Sequence, residues 1–206
     1  MNAATQMIFQ WPEIPVLPPA GEPVLIRVPT SSTRVAARRE LRLVLLRVLA
    51  AWSGCAAEEM PLSETLCGPV WVGPLAGLGL EISLSYAEAE GWIGLIRGGS
   101  IGIDVMRVQS VPEVENVARL YLGPAAWKAI QNSSNVDVSF ALAWTDLEAR
   151  LKLLKQPLRE YSSEHAGVDE CASRHFLLPD GLVVALARPG STMTMVRRFN
   201  AFECVA

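Results

Sequence analysis

The spacing of apolar residues predicts a long amphipathic helix early in the chain. Apolar side chains recur there at steps of three and four, the period of one helix face. They are Leu41, Leu45, Val48, Leu49 and Trp52. Ser31-Ser32-Thr33 offers capping oxygens before this stripe and Gly54 follows it, so the helix is expected to run to about Trp52. Glu22–Val28 alternates enough to form a strand before the helix.

The middle of the chain has the pattern of a small antiparallel sheet. Nine of the 15 glycines fall within residues 67–102, among apolar and β-branched residues. We predict strands at Leu80–Ser85, Trp92–Arg97 and Ser100–Met106. The pair Gly98-Gly99, between the last two strands, predicts a hairpin turn.

Helical patterns follow in the second half of the chain. One short helix is predicted over residues 112–123 and another over residues 124–131. A longer helix is predicted over residues 138–155, with Asp137 as its cap and Pro157 just after its end.

A β-hairpin is predicted near the end of the chain. Two apolar segments, His175–Leu178 and Leu182–Ala187, flank the turn-forming tripeptide Pro179-Asp180-Gly181. Thr192–Arg198 could add one more strand.

The order of these elements predicts the α+β class. Strands and helices occur in each half, but they lack the regular alternation that a doubly wound parallel sheet requires. We expect an extended lead-in over residues 1–21, one α+β half over 22–109 and a second α+β half over 110–206.

Composition and charge narrow the class of function. The 206 residues are 50% apolar and carry a net charge of −3, which suits one core or two small cores but not a basic nucleic-acid binder. No run reaches the ~18 apolar residues of a membrane span, so no membrane partner is expected. The four cysteines lack the paired spacing of a zinc site, and a reducing cytoplasm is the expected compartment.

The helix predicted over 138–155 presents two stripes. The apolar stripe, expected to be buried, consists of Phe140, Trp144, Leu147, Leu151 and Leu154. The adjacent polar stripe consists of Thr145, Glu148, Lys152 and Lys155. Glu148 and Lys152 are neighbours one turn apart, and a surface ion pair is the ordinary interpretation of that spacing.

The scarcity of lysine favours a chemical role for the polar stripe. The chain has 15 arginines but only Lys128, Lys152 and Lys155, so two of its three lysines lie on this stripe. A lysine can donate a proton when its pKa is lowered, whereas an arginine stays charged.

Asp104 is the second candidate group. It lies in Ile101-Gly102-Ile103-Asp104-Val105, a run with strand character in which a carboxylate is unexpected. It either faces solvent, caps a neighbouring turn, or serves as a metal ligand on a rigid strand. Mg²⁺ takes one or two protein carboxylates together with waters and substrate phosphates, and Asp104 and Glu148 could supply those two.

These motifs together resemble the paired signature of Sfp-type 4′-phosphopantetheinyl transferases. Ile101-Gly102-Ile103-Asp104 precedes Trp144-Thr145-x-x-Glu148-Ala149-x-x-Lys152 at close to the family's spacing. The upstream order is similar too, with an arginine-rich helix, then Leu84-Ser85, then Gly98-Gly99. The resemblance spans about residues 34–155.

The resemblance implies both a fold and a reaction. The fold would be two similar α+β halves with the active site between them, in a monomeric protein. The reaction would be Mg²⁺-dependent transfer of phosphopantetheine from coenzyme A to a serine of an acyl or peptidyl carrier protein. By position, Asp104 and Glu148 would bind Mg²⁺, Glu148 would draw the proton from the serine, and Lys152 would neutralise or protonate the departing 3′,5′-ADP oxygen.

The chain departs from the family's pattern at several positions, one of which is the absence of the family's Gly-Lys-Pro lysine near Gly68-Pro69. Met106 stands where a second acidic residue often follows the aspartate, and its soft sulfur does not suit Mg²⁺. Leu147 stands where a lysine usually precedes the glutamate. Ser85 and Tyr86 occupy the place of coenzyme A contacts, with Tyr86 replacing a phosphate-binding histidine.

Arginines of the first helix are candidates to compensate for that loss. Arg38, Arg39 and Arg42 could bind the 3′-phosphate of coenzyme A, because the guanidinium fork suits phosphate. A solvated basic face beside Glu40 is an equally good interpretation.

Two other functions remain open. The departures at Met106, Tyr86 and Leu147 favour a non-catalytic relative that binds a carrier protein or coenzyme A as a regulator or scaffold. A third hypothesis is an unrelated α+β protein whose motifs match by chance.

Overall fold

The structure combines helices with β-sheets, which confirms the α+β class. It is a computed structural model, and it describes residues 7–57, 62–65, 68–72, 79–162 and 168–190. The chain divides into two compact units, Met1–Ile103 and Asp104–Ala206, where the sequence had suggested a loose boundary near residue 109. None of the helices in the described ranges has both the length and the apolarity of a membrane span.

The first unit is built on a four-stranded sheet and one long helix. Its elements are β1 (Ile8–Gln10), β2 (Pro23–Pro29), α1 (Arg34–Ser53), β3 (Leu62–Thr65), β4 (Gly68–Val72), β5 (Leu80–Ala87) and β6 (Glu90–Arg97). The main sheet has the order β1-β2-β6-β5, in which β1 runs parallel to β2 and the other neighbours are antiparallel. Strands β3 and β4 form a separate antiparallel pair. Strand β1 lies within the lead-in that was expected to be merely extended.

Helix α1 buries the predicted stripe against this sheet. Leu41, Leu45, Val48 and Leu49 are all fully buried and belong to the same core cluster as Ile26 of β2 and Ile93 of β6. Gly54 ends the helix in the left-handed conformation, with φ of 71°, and its N–H donates to the carbonyl of Ala50 over 2.9 Å. The helix predicted from the apolar period is therefore confirmed.

The second unit contains a three-stranded sheet and the remaining helices. Its elements are β7 (Gly102–Arg107), α2 (Val114–Val117), a π-helical turn (Ala118–Leu122), α3 (Pro124–Gln131), α4 (Val136–Leu153), a 3₁₀ turn (Val168–Glu170), β8 (Cys171–Leu177) and β9 (Leu182–Pro189). The sheet order is β7-β9-β8, and β8 runs antiparallel to β9.

The hairpin predicted at Gly98-Gly99 is wrong. The strands on either side of the pair lie in different sheets, since β6 joins β2 and β5 whereas β7 joins β9. The N–H of Gly98 instead donates to the carbonyl of Gly79 over 2.8 Å, beside the start of β5. The hairpin partner of β6 is β5, through a tight turn after Ala87.

The hairpin predicted at Pro179-Asp180-Gly181 is confirmed. The N–H of Leu178 donates to the carbonyl of Leu182 over 2.8 Å, and Gly181 takes a positive φ of 80° in the turn. The strand predicted over residues 192–198 lies outside the described residues, as does the start of the lead-in, residues 1–6.

The long helix of the second unit is confirmed, with a corrected start. Helix α4 begins after Asn135, whose side-chain oxygen accepts a hydrogen bond from the N–H of Val138 over 3.1 Å. Asp137 therefore lies in the first turn, where its charge suits the helix dipole, and is not the cap.

The buried face of α4 differs from the predicted stripe. Trp144, Leu147 and Leu154 are only half-buried. The buried residues are Phe140, Ala141, Thr145, Ala149, Leu151 and Leu153. Ala149 packs with Ala185 and Ala187 of β9, so small residues on both elements let the helix lie close to the sheet. Residue size, and not only apolarity, decides which face of α4 is covered.

Candidate functional site

Asp104 and Lys152, each from one half of the paired motif, meet in the second unit. Nζ of Lys152, in the last turn of α4, donates a hydrogen bond to Oδ1 of Asp104 on β7 over 2.7 Å. Asp104 is only 8% exposed, so its charge is held largely away from water. The predicted solvent-facing alternative for Asp104 is therefore wrong, and a strand carboxylate paired with the motif lysine takes its place.

Glu148 shares the electrostatic environment of this pair. Burial raises the pKa of Glu148 above its ordinary value, and the negative charge of Asp104 raises it further, while the ammonium of Lys152 acts in the opposite direction. The net pKa of Glu148 is raised. The three predicted residues Asp104, Glu148 and Lys152 therefore form one interacting cluster, called the acidic–lysine cluster below.

Met106 follows Asp104 of the acidic–lysine cluster along β7, but its side chain packs in an apolar cluster. It packs against the core formed by Ala118, Trp127, Ile130 and Phe140, in which Trp144 also takes part. Residues two apart on a strand face the same side, so Met106 follows Asp104 along the face of β7 that meets α4. The position where the family often has a second acid is thus filled by packed apolar groups.

Thr145 of the motif has a structural place. It is fully buried, and its hydroxyl donates to the carbonyl of Ala141 over 2.8 Å. Thr145 therefore differs from Glu148 and Lys152 of the predicted polar stripe, since it is one of the buried residues of α4, one turn before Ala149.

The acidic–lysine cluster fits a hard cation in its charge and donor atoms. Mg²⁺ prefers carboxylate oxygens and needs only one or two from the protein when substrate phosphates supply others. Asp104 already pairs with one positive group, the ammonium of Lys152. Within the part of the chain that the structure describes, no group of three or more His, Cys, Asp and Glu side chains is placed to hold a metal. Asp104 and Glu148 stay the two carboxylates that the sequence predicted as ligands of a cation, since Asp104 acts on the pKa of Glu148.

The candidate coenzyme A residues lie in the first unit, where the charges of α1 arginines act on Tyr86. Burial raises the pKa of the Tyr86 hydroxyl, and the positive charges of Arg42, Arg38 and Arg34, in that order, oppose the shift. The structure therefore places Tyr86 of β5 in the field of α1. Arg34 is an additional member that the sequence argument missed.

Arg39 and Ser85 are not brought into that group. Arg39 is exposed and is not among the arginines whose charges oppose the rise in the pKa of Tyr86. Ser85 is 3% exposed, and it lies on the face of β5 opposite to Leu84 and Tyr86, which pack toward α1. Glu40, the acid of the same helix, accepts a hydrogen bond from the N–H of Ser31 over 2.6 Å, and its contacts with Ser31 lower its pKa.

A second polar cluster was missed by the sequence argument. Asp146 and Arg150, one turn apart on α4, meet His175 and Ser173 of β8. Oδ2 of Asp146 lies 3.0 Å from Nε of Arg150, and that same nitrogen donates to Oγ of Ser173 over 3.1 Å. The i, i+4 spacing of the helix pair and the i, i+2 spacing of the strand pair were visible in the sequence, but their pairing depends on the packing of α4 on the sheet.

Comparison with known proteins adds no family. No protein-family model matches the chain, and a search of curated proteins found no similar sequence. The functional assignment therefore depends on the residues of the site.

Proposed function

We propose that the protein is an Sfp-type 4′-phosphopantetheinyl transferase that moves phosphopantetheine from coenzyme A to a serine of a carrier protein. The observation that supports this most is the contact between Lys152 and Asp104 over 2.7 Å, with Glu148 in the same electrostatic field. These are the three motif residues to which the resemblance gives chemical roles, and they come from two motifs that are each weak alone.

The chemistry requires a cation, a base and a neutralising group at one place. Asp104 and Glu148 would hold Mg²⁺, which when bound neutralises the diphosphate of coenzyme A. Glu148 would accept the proton of the attacking serine, directly or through a water molecule. Lys152 places its positive charge against the oxygen of the departing 3′,5′-ADP.

The first unit supplies the recognition of an anion in this proposal. Arg38 and Arg42, together with Arg34, set a positive field around Tyr86. We assign the 3′-phosphate of coenzyme A to this group, with Tyr86 donating a hydrogen bond where the family has a histidine. We leave Arg39 and Ser85 out of this assignment, because the charges that act on the pKa of Tyr86 are those of Arg42, Arg38 and Arg34, and because Ser85 faces the other side of β5.

Transfer to a carrier protein tests the proposal. Purified protein is incubated with coenzyme A, Mg²⁺ and a set of apo-carrier proteins, and the intact mass of each carrier is measured. We expect phosphopantetheine on at least one carrier, and a loss of about 10²–10⁴-fold in rate for Glu148→Gln. Glu115→Gln is the matched control, because Glu115 is an exposed glutamate in a surface ion pair with Arg119.

The same assay defines failure. No modified carrier, with an active transferase working in parallel on the same carriers, would contradict the proposal. So would a rate for Glu148→Gln equal to that of Glu115→Gln.

The packing of Met106 favours one alternative, a non-catalytic relative that binds coenzyme A or a carrier. Met106 packs in an apolar cluster at that position and supplies no third carboxylate for a cation. Calorimetry separates the two functions: binding of coenzyme A that ignores both Mg²⁺ and Glu148→Gln, without turnover, favours the binding protein.

A further inference from the structure

The cation position on Asp104 is already filled by a group of the protein itself. Lys152 donates to Oδ1 of Asp104 over 2.7 Å, while the aspartate side chain is 11% exposed and the lysine side chain 31% exposed. An ammonium and a divalent cation both seek the same carboxylate oxygens. Since like charges repel strongly where water is largely excluded, the two cannot share Asp104 without cost.

We propose that Lys152 is an internal counter-ion that competes with a divalent cation for Asp104 and is displaced when the cation binds. The inference rests on the proposed function, because it concerns the same site and gives it an order of events. A divalent cation binds weakly while Lys152 holds Asp104, and it binds more tightly once that ammonium has moved.

The positions of the two side chains in the fold suit such an exchange. Asp104 lies inside β7, which is held in its sheet, whereas Lys152 is the penultimate residue of α4 and carries a flexible four-carbon stem. The lysine can therefore leave the carboxylate by rotating its own side chain, with no change required in the strand.

The charge of the cluster changes sign in the exchange. Asp104, Glu148 and Lys152 together carry one net negative charge when all three are ionised, which repels a diphosphate. A divalent cation brings the cluster to one net positive charge and releases an ammonium that can turn toward an anion. The exchange therefore converts the cluster from one that disfavours a diphosphate substrate into one that attracts it.

Cation binding by variants of the full chain tests this directly. Mn²⁺ is used as the probe, and the loss of its free-ion electron paramagnetic resonance signal gives the dissociation constant without coenzyme A or carrier. We expect Lys152→Met to bind Mn²⁺ about tenfold or more tightly than the unaltered protein, a size usual for coupled binding. Lys155→Met removes the same charge from an exposed position close in sequence and is expected to leave the affinity unchanged. Lys152→Arg, which keeps the charge, is expected to stay as weak as the unaltered protein.

Asp104→Asn variants test whether the ion binds at this carboxylate. Asp104→Asn is expected to abolish binding both alone and in combination with Lys152→Met, which places the ion on this carboxylate. Circular dichroism checks that each variant is folded, and Lys152→Gln replaces Lys152→Met if the latter is not.

The outcomes separate this inference from the proposed function. Equal affinities for Lys152→Met and Lys155→Met, weaker binding by Lys152→Met, or no Mn²⁺ binding by any variant would overturn the competition. If transfer to carriers occurs but Lys152→Met gains no affinity, only the competition is wrong. If Lys152→Met gains affinity and no carrier is ever modified, the cation site stands and the transferase proposal is wrong.

Discussion

Oδ1 of Asp146, on α4, lies 3.3 Å from Nε2 of His175, on β8. The same carboxylate contacts Arg150, and the side chains of all three residues are between 18% and 24% exposed. Burial alone would raise the pKa of Asp146, but contacts with His175, Arg150 and Ser173 outweigh it, so the pKa lies below its ordinary value of 3.8. Folding therefore stabilises the charged form of the Asp146 carboxylate, which links α4 to β8 through its contact with His175.

The contribution of Asp146 to stability can be tested by replacing it and measuring how stability depends on pH. A group whose pKa is lowered by folding stabilises the folded state above its unfolded pKa, and that stabilisation is lost as the pH falls through the folded pKa. We expect Asp146→Asn to lower the free energy of unfolding by about 2–3 kcal/mol near neutral pH. Urea titrations should show this difference shrinking as the pH falls below 3.8 and through the lowered pKa of Asp146. Glu115→Gln, which removes an exposed pair, should cost less than about 0.5 kcal/mol. If Asp146→Asn lowers the free energy of unfolding by the same amount at neutral pH and in acid, the charged form of Asp146 is not what stabilises the fold.

The raised pKa of Glu148 predicts a measurable titration in the metal-free protein. Carbon-13 NMR of the Glu148 carboxyl should give a midpoint above the ordinary 4.5. Asp104→Asn removes a neighbouring negative charge, so the midpoint should fall. Lys152→Met removes a neighbouring positive charge, so the midpoint should rise. A midpoint that is insensitive to both substitutions would show that the three groups do not interact.

Thr145 should contribute packing and one hydrogen bond. Thr145→Val keeps the shape but loses the bond to the carbonyl of Ala141, and we expect a cost of about 1 kcal/mol. Thr145→Leu adds volume on the face that lies close to the sheet, and we expect a cost of about 2–3 kcal/mol. Thermal and urea unfolding of both variants measure the two costs. A leucine variant as stable as the valine variant would mean that this face of α4 is loosely packed.

Gly123 should be required both for its backbone conformation and for its lack of a side chain. It has φ of 88°, and a Cβ placed there would lie 2.6 Å from a ring carbon of Tyr161. We expect Gly123→Ala to cost about 2 kcal/mol or more, because its ψ of 166° places it in a backbone region that essentially only glycine occupies and because the added Cβ meets the ring. Tyr161→Ala should relieve the steric part only, so a double-mutant cycle should show positive coupling between the two positions. The prediction fails if the cost of Gly123→Ala is the same with and without the tyrosine ring.

Local signals predicted much of the fold. The α1 stripe and Gly54 together specify a helix and its end, and Pro179-Asp180-Gly181 specifies its own turn, because each depends on residues close in sequence. The pair Gly98-Gly99 carried an equally strong turn signal, yet β6 and β7 join different sheets. Which strands pair is decided by contacts far apart in sequence, and a glycine pair cannot report them.

The resemblance selected residues that are far apart in sequence but did not predict how they pair. It assigned Asp104 to a metal ion and Lys152 to the departing oxygen, whereas the structure brings these two side chains into contact. Asp146 and His175 carried no motif, and their contact arises from the way α4 lies on β8. The burial of α4 was predicted for Leu147, but Ala149 and Thr145 face the sheet, because close approach favours small side chains over large apolar ones.

The hydrogen bond from Lys152 to Asp104 also makes the chain's few lysines unequal toward acylating reagents. Lys128 and Lys155 are exposed, whereas the amine of Lys152 donates a hydrogen bond to the largely buried carboxylate of Asp104. An amine-selective ester should therefore label two lysines quickly and the third slowly. Peptide mapping of the label on Lys152 then reports when its ammonium group no longer contacts Asp104.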